Sequence, residues 1–175
     1  MGVINLMLTF GTTARHNELL SSFFANVFDE RKNNQLRAFQ EQCPLVYLGE
    51  RSNLGQVKLI DADTYYNKCD ELYDYEYVQP DFMMFKNNKY IVNKKGTRFL
   101  GIPDLVIEIW SERNDDIETH FKKLLYSTGQ EHWYLTQHSN KVECWIGTEK
   151  LQDQYLTEIL KTQQNVEFDL RFLSI

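Results

Sequence analysis

The segment Leu105-Val106-Ile107-Glu108-Ile109-Trp110 constrains the fold more than any other part of the chain. It is a near-continuous apolar run broken by a single acid. Such a run reads as a strand buried on both faces, and so as the middle of a sheet covered by helices. Side chains alternate along a strand, so Glu108 and Trp110 point one way while Ile107 and Ile109 point the other. A carboxylate inside an apolar sheet is costly unless it is paired or binds something.

A second strand-like segment also carries an acid: Tyr77-Val78-Gln79-Pro80-Asp81-Phe82-Met83-Met84-Phe85. Proline is tolerated at the first residue of a strand, which puts Asp81 at the start of its strand. If the two strands are neighbours, their carboxylates can share a metal. Magnesium takes oxygen ligands at about 2.1 Å and accepts one or two protein carboxylates plus water. An aspartate, a glutamate and a main-chain carbonyl would suffice.

A helix follows, capped by Asp115 or Asp116, running to Thr128 and stopping at Gly129. Ile117, Phe121, Leu124, Leu125 and Thr128 define its apolar face. At ~100° per residue, Lys123 points almost directly away from that face. Lys122 falls at its edge, from which a long side chain can reach the rim of the sheet. Two acids and a lysine suit metal-assisted cleavage of a phosphodiester.

Each of these residues has a plainer account. Asp81 can be a turn acid after proline, and Glu108 half of a structural ion pair. Asp104 can cap or turn the chain before its strand instead of serving as an auxiliary ligand. Lys122 can be a surface lysine paired with Glu118 at i, i+4. His16, on the apolar stripe of the first helix, is either a satisfied core histidine or an auxiliary site residue.

The remaining pattern gives the order helix, several strands, helix, strands. Thr12 or Thr13 caps a first helix that runs to Arg31, with an apolar stripe of Leu19, Leu20, Phe23, Phe24 and Val27. Strands are expected at Ala38–Leu48, Gln56–Ala62 and Tyr77–Phe85, with a short arm at Lys89–Val92. The acidic stretch Asp70–Glu76 reads as an exposed loop. His132–Thr136 and Val142–Ile146 form a hairpin around Ser139-Asn140. Tyr155–Leu160 and Val166–Leu170 read as strands, or as a terminal helix plus strand. The fold class is α/β, a mixed sheet with helices packed on it.

At 175 residues, 42% of them apolar, the chain fits one domain with a core, 1–175, in which 1–12 is an N-terminal extension. No apolar run approaches the ~20 residues needed to span a bilayer, and residues 1–10 lack the marks of a signal peptide. Cys43, Cys69 and Cys144 match neither a disulfide framework nor a zinc motif, which suggests reduced thiols in a cytoplasm. A net charge of −6 counts against a nucleic-acid binder. A bound cation lowers that objection, because it offsets clustered acids. Lys86, Lys89, Lys94, Lys95 and Arg98 follow one another with no acid between Asp81 and Asp104. They are either nucleic-acid contacts or a solvated loop.

The segments Val78-Gln79-Pro80-Asp81, Gly101 to Ser111, Lys122-Lys123-Leu124-Leu125-Tyr126 and Gly129 to Leu135 occur in an order that resembles the Uma family. That family is restriction-endonuclease-like and lies within the PD-(D/E)XK nuclease superfamily. The likeness covers His16 to the C-terminus, with His132 standing where the family has a tyrosine. It implies a restriction-endonuclease-like mixed sheet flanked by helices, Mg²⁺ or Mn²⁺ as cofactor, and DNA as partner. It assigns the motif aspartate to Asp81 and the motif glutamate to Glu108. Most of the superfamily has its lysine two residues after the glutamate, where this chain has Trp110. In the Uma family the lysine comes from the following helix, which matches Lys122. Family members commonly carry a Tyr-Glu-Leu segment and an acidic turn ahead of the first helix, and no counterpart is read here.

The resulting expectation is a metal-dependent endonuclease that hydrolyses DNA phosphodiester bonds and works as a homodimer. The rival is a catalytically silent nuclease-fold protein that binds nucleic acid or a protein partner.

Overall fold

The computed structural model describes residues 13–34, 36–40, 45–46, 77–87, 90–92, 99–100, 103–111, 122–123, 126 and 131–175. The first helix, α1 (Ala14–Asn34), starts where the sequence predicts. Thr13 Oγ1 accepts a hydrogen bond from the His16 main-chain N–H at 3.1 Å, so Thr13 is the cap. The helix runs three residues past Arg31. Its stripe of Leu19, Leu20, Phe23 and Val27 is buried, as the spacing requires.

The strands in chain order are β1 (Leu36–Gln40), β2 (Leu45–Val46), β3 (Tyr77–Val78), β4 (Phe82–Lys86), β5 (Ile91–Val92), β6 (Phe99–Leu100) and β7 (Leu105–Trp110). They continue as β8 (Glu131–Thr136), β9 (Lys141–Ile146), β10 (Glu149–Lys150), β11 (Gln154–Tyr155), β12 (Ile159–Lys161) and β13 (Glu167–Asp169), and a 3₁₀ turn spans Arg171–Leu173. Lys122, Lys123 and Tyr126 are helical. The rest of the helix expected at 115–128, the strand at Gln56–Ala62 and the acidic stretch at 70–76 lie outside the described residues.

The main sheet has the order β1-β4-β7-β8-β9-β10, with β11 also on β9. β7 and β8 are parallel, and the other pairs are antiparallel. A four-stranded sheet has the order β3-β2-β6-β5, and β12 pairs with β13. The molecule is thus a mixed α/β structure, with β7 in the middle of its main sheet.

Two expected strands are each divided between sheets. The Ala38–Leu48 segment becomes β1 in the main sheet and β2 in the smaller one, with Pro44 between them. The Tyr77–Phe85 segment becomes β3 in the smaller sheet and β4 in the main one, with Pro80 between them. Proline has no N–H to give a ladder, so Pro80 marks the place where the chain changes partners. Toward the C-terminus, the expected Tyr155–Leu160 strand is β11 and β12 separated by a turn, and no terminal α-helix forms.

Register assigns the two faces of the main sheet. Phe82↔Ile107, Met83↔Val106 and Met84↔Leu105 pair β4 with β7, and Ile107↔Trp133 and Glu108↔Tyr134 pair β7 with β8. One face carries Phe82, Met84, Leu105, Ile107, Ile109, Trp133 and Leu135, which pack in one core with α1 and with Phe168 from β13. Edge-on contacts of Phe168 with Phe23 (5.2 Å between centroids) and Trp133 (5.7 Å) join helix, sheet and C-terminal hairpin. The opposite face carries Glu108, Trp110, His132 and Tyr134. Lys122, Lys123 and Tyr126 contact this second face.

Candidate active site

Glu108 sits near the carboxyl end of β7, only 2% exposed. Its Oε2 accepts from Lys122 Nζ at 2.7 Å and its Oε1 from the Tyr126 hydroxyl at 2.5 Å. Lys122 also donates to the Gln79 carbonyl at 3.2 Å, which ties it to the chain just ahead of Asp81. Asp81 lies one residue before β4, at a bend. The Phe82↔Ile107 pair, continued by one step, brings Asp81 opposite Glu108. Asp81 Oδ2 accepts from the Ile109 main-chain N–H at 2.6 Å. Its Oδ1 lies 3.3 Å from His16 Nε2, on the first turn of α1. Two acids and a lysine, distant in sequence, therefore meet at one end of the central strand, with His16 against them from the other layer.

The start of α1 is anchored to this end of the sheet. Thr13 donates to the Gln137 side-chain oxygen, and the Gln137 N–H bonds the Trp110 carbonyl at 2.9 Å. The site thus lies at the carboxyl ends of the parallel pair β7 and β8. In open α/β sheets that is where ligands bind.

Burial, opposed by the Lys122 ammonium and reinforced by the Asp81 charge, pushes the Glu108 carboxyl up from 4.5 to about 7. Burial and the Glu108 charge hold the Tyr126 hydroxyl well above its ordinary value. A buried acid facing a second acid is a place where a cation lowers the energy of both. Among the described residues no group of three or more His, Cys, Asp or Glu gathers as a metal cluster. The two carboxylates at this end of β7 that could hold a cation are Asp81 and Glu108.

Asp104 and Lys86 fall elsewhere. Asp104 stands at the opposite end of β7. Its Oδ2 accepts from the Lys86 N–H at 2.6 Å and its Oδ1 from Gln164 Nε2 at 2.8 Å. Both oxygens serve structure, and four residues of strand, ~13 Å, separate Asp104 from Glu108. Lys86 ends β4 beside Asp104, remote from Asp81. Lys89, Lys94, Lys95 and Arg98 lie outside the described residues.

Two neighbours of the site were not singled out by the sequence pattern. Tyr126 is one helical turn beyond Lys122, so its approach to the same acid was readable as an i, i+4 pair. Lys123 corrects the helical-wheel argument. Its ammonium lies over the Trp110 ring (4.6 Å to the centroid) and the Tyr134 ring (5.2 Å), so it faces the sheet. The residues of the expected apolar face, Ile117, Phe121, Leu124, Leu125 and Thr128, lie outside the described residues. The aromatic rings that attract a cation come from β7 and β8, and no local pattern announces them.

No family model matches the chain, and no curated protein matches it. Among solved structures it is similar to a "putative nuclease belonging to DUF820" from Anabaena variabilis, with a TM-score of 0.61 and 15% sequence identity. The match covers 93% of this chain and 83% of that one. At that identity the likeness shows a shared fold, and it extends over nearly the whole chain.

Proposed function

We propose that this chain is a divalent-metal-dependent endonuclease that hydrolyses DNA phosphodiester bonds, using Asp81, Glu108 and Lys122. The observation that carries the reading is the meeting of these three side chains at the carboxyl end of β7. The nuclease description of its structural neighbour and the resemblance to the Uma family point the same way.

Asp81 and Glu108 would hold Mg²⁺ or Mn²⁺. When bound, such a cation polarises a phosphoryl oxygen and lowers the pKa of bound water. The Ile109 N–H holds one oxygen of Asp81, and His16 holds the other. Tyr126 holds Glu108 from its buried side. Lys122, anchored by the Gln79 carbonyl, keeps an ammonium at the edge of the acids. There it would orient the attacking water and oppose the charge that grows on the phosphoryl group.

The test is cleavage of plasmid DNA with Mg²⁺ or Mn²⁺. Asp81→Ala, Glu108→Ala and Lys122→Ala are each expected to lower the rate at least ~100-fold, the usual scale for losing a charge-stabilising group. Activity that survives all three substitutions refutes the proposal.

One observation favours the rival. Both Glu108 oxygens already have protein partners, as a purely structural pair would. Calorimetric titration with Mn²⁺ separates the two readings. A nuclease binds the ion and loses it in Asp81→Ala, whereas a silent nucleic-acid- or protein-binding module shows background heat in both.

A further inference from the structure

We infer that Lys123, held on the faces of Trp110 and Tyr134, is a DNA phosphate contact next to the proposed catalytic centre. The inference rests on the nuclease reading for its choice of partner and on separate geometry for its site.

Charge pairing sets Lys123 apart. Lys122 is balanced by Glu108 at 2.7 Å. Lys141 pairs with Glu143 and Asp153, and Lys150 with Asp153. Arg15, Lys161 and Arg171 pair with Glu18, Glu167 and Asp169. Among the described residues no carboxylate lies within ion-pair distance of Lys123, Lys86 or Arg37. Lys86 and Arg37 sit at the far end of the sheet, by the Leu36↔Lys86 and Arg37↔Phe85 pairs. Lys123 alone of the three is beside Trp110, which shares a face with Glu108 and lies one side-chain repeat closer to the carboxyl edge of β7.

The aromatic seat explains how a cation is kept there without an acid. Trp110 and Tyr134 pack at 4.5 Å between centroids, and the ammonium rests over both rings. Cation–π attraction of this kind holds an ammonium without adding a counter-charge. Lys123 is partly exposed. In a chain of net charge −6, a cation seated on two rings, with no carboxylate among the described residues in ion-pair contact with it, gives a polyanion a place to dock.

The experiment is binding of a duplex oligonucleotide by fluorescence anisotropy in EDTA, between about 50 and 200 mM salt. Lys123→Met keeps the aliphatic stem on the rings and removes only the charge. Lys123→Gln serves as the second variant, and thermal melts check that each folds. Losing one duplex phosphate contact makes the slope of log K against log salt shallower by about 0.9, with affinity roughly tenfold lower at low salt. Lys123→Arg should restore both.

An unchanged slope in the folded variants overturns the inference. So does wild-type protein that binds no duplex. A lower melting temperature with an unchanged slope shows that Lys123 only clamps the helix to the sheet. Plasmid cleavage by the wild type is scored separately. Altered slope without cleavage keeps the phosphate contact and removes the nuclease reading, and cleavage with an unaltered slope does the reverse.

Discussion

Glu108 is the residue on which chemistry and stability conflict. Its folded pKa of about 7 exceeds its ordinary 4.5, so between those values the folded protein keeps a proton that the unfolded chain has released. Stability must therefore fall as pH rises through that window, by at most ~1.4 kcal/mol per pH unit from this group. Glu108→Gln abolishes that contribution. Urea unfolding in EDTA from pH 5 to 8 should show the variant gaining on wild type as pH rises, and Mn²⁺ should narrow the gap by stabilising only the wild type. Parallel curves across the range would contradict this account. Tyr126→Phe removes a hydrogen bond that favours the ionised acid. The Glu108 pKa should climb further, weakening Mn²⁺ binding at pH 7 in calorimetry, with a loss of ~1–3 kcal/mol in stability.

At the scale of elements, the two ends of β7 do different work. At the amino end, the β12–β13 turn is stapled to the sheet by Gln164 on Asp104 and by the Gln163 N–H on Glu131 Oε2 at 2.9 Å. Asn165, with φ of 60°, makes that turn possible, since asparagine tolerates the left-handed region. Asp104→Asn should cost ~1–3 kcal/mol in unfolding experiments while Mn²⁺ affinity stays at the wild-type level. A loss of affinity would mean that the two ends are coupled. At the carboxyl end, Thr13 caps α1 and also reaches Gln137. Thr13→Ala should cost ~1 kcal/mol of stability. It should also weaken metal binding, because the cap sets the turn that holds His16 against Asp81. Melting curves and Mn²⁺ calorimetry read the two effects.

For the whole molecule, one face of the main sheet is closed by α1 and the C-terminal hairpin, and the other receives the helix of Lys122. No helix among the described residues is long and apolar enough to cross a membrane. Cutting both strands of a duplex is simplest with two such sites, so the proposed function predicts a homodimer. Sedimentation at micromolar concentration should show it, and a monomer at all concentrations would rule it out.

Local pattern sufficed for much of this. The apolar run of β7, the capped stripe of α1 and the β8–β9 hairpin are statements about neighbouring residues. Burial of a period-two or period-3.6 pattern leaves little choice of element. Glu108 stood out for the same reason, as a charge in a run that must be buried. What tertiary structure decided was partnership. Asp81 and Asp104 are both acids beside a proline at a strand start. Strand order alone sends the first to Glu108 and the second to the C-terminal turn. Lys122 and Lys123 are adjacent, and only the sheet beneath them gives one a carboxylate and the other a pair of rings. Contacts between residues far apart in the chain depend on register and layer, which no single segment encodes.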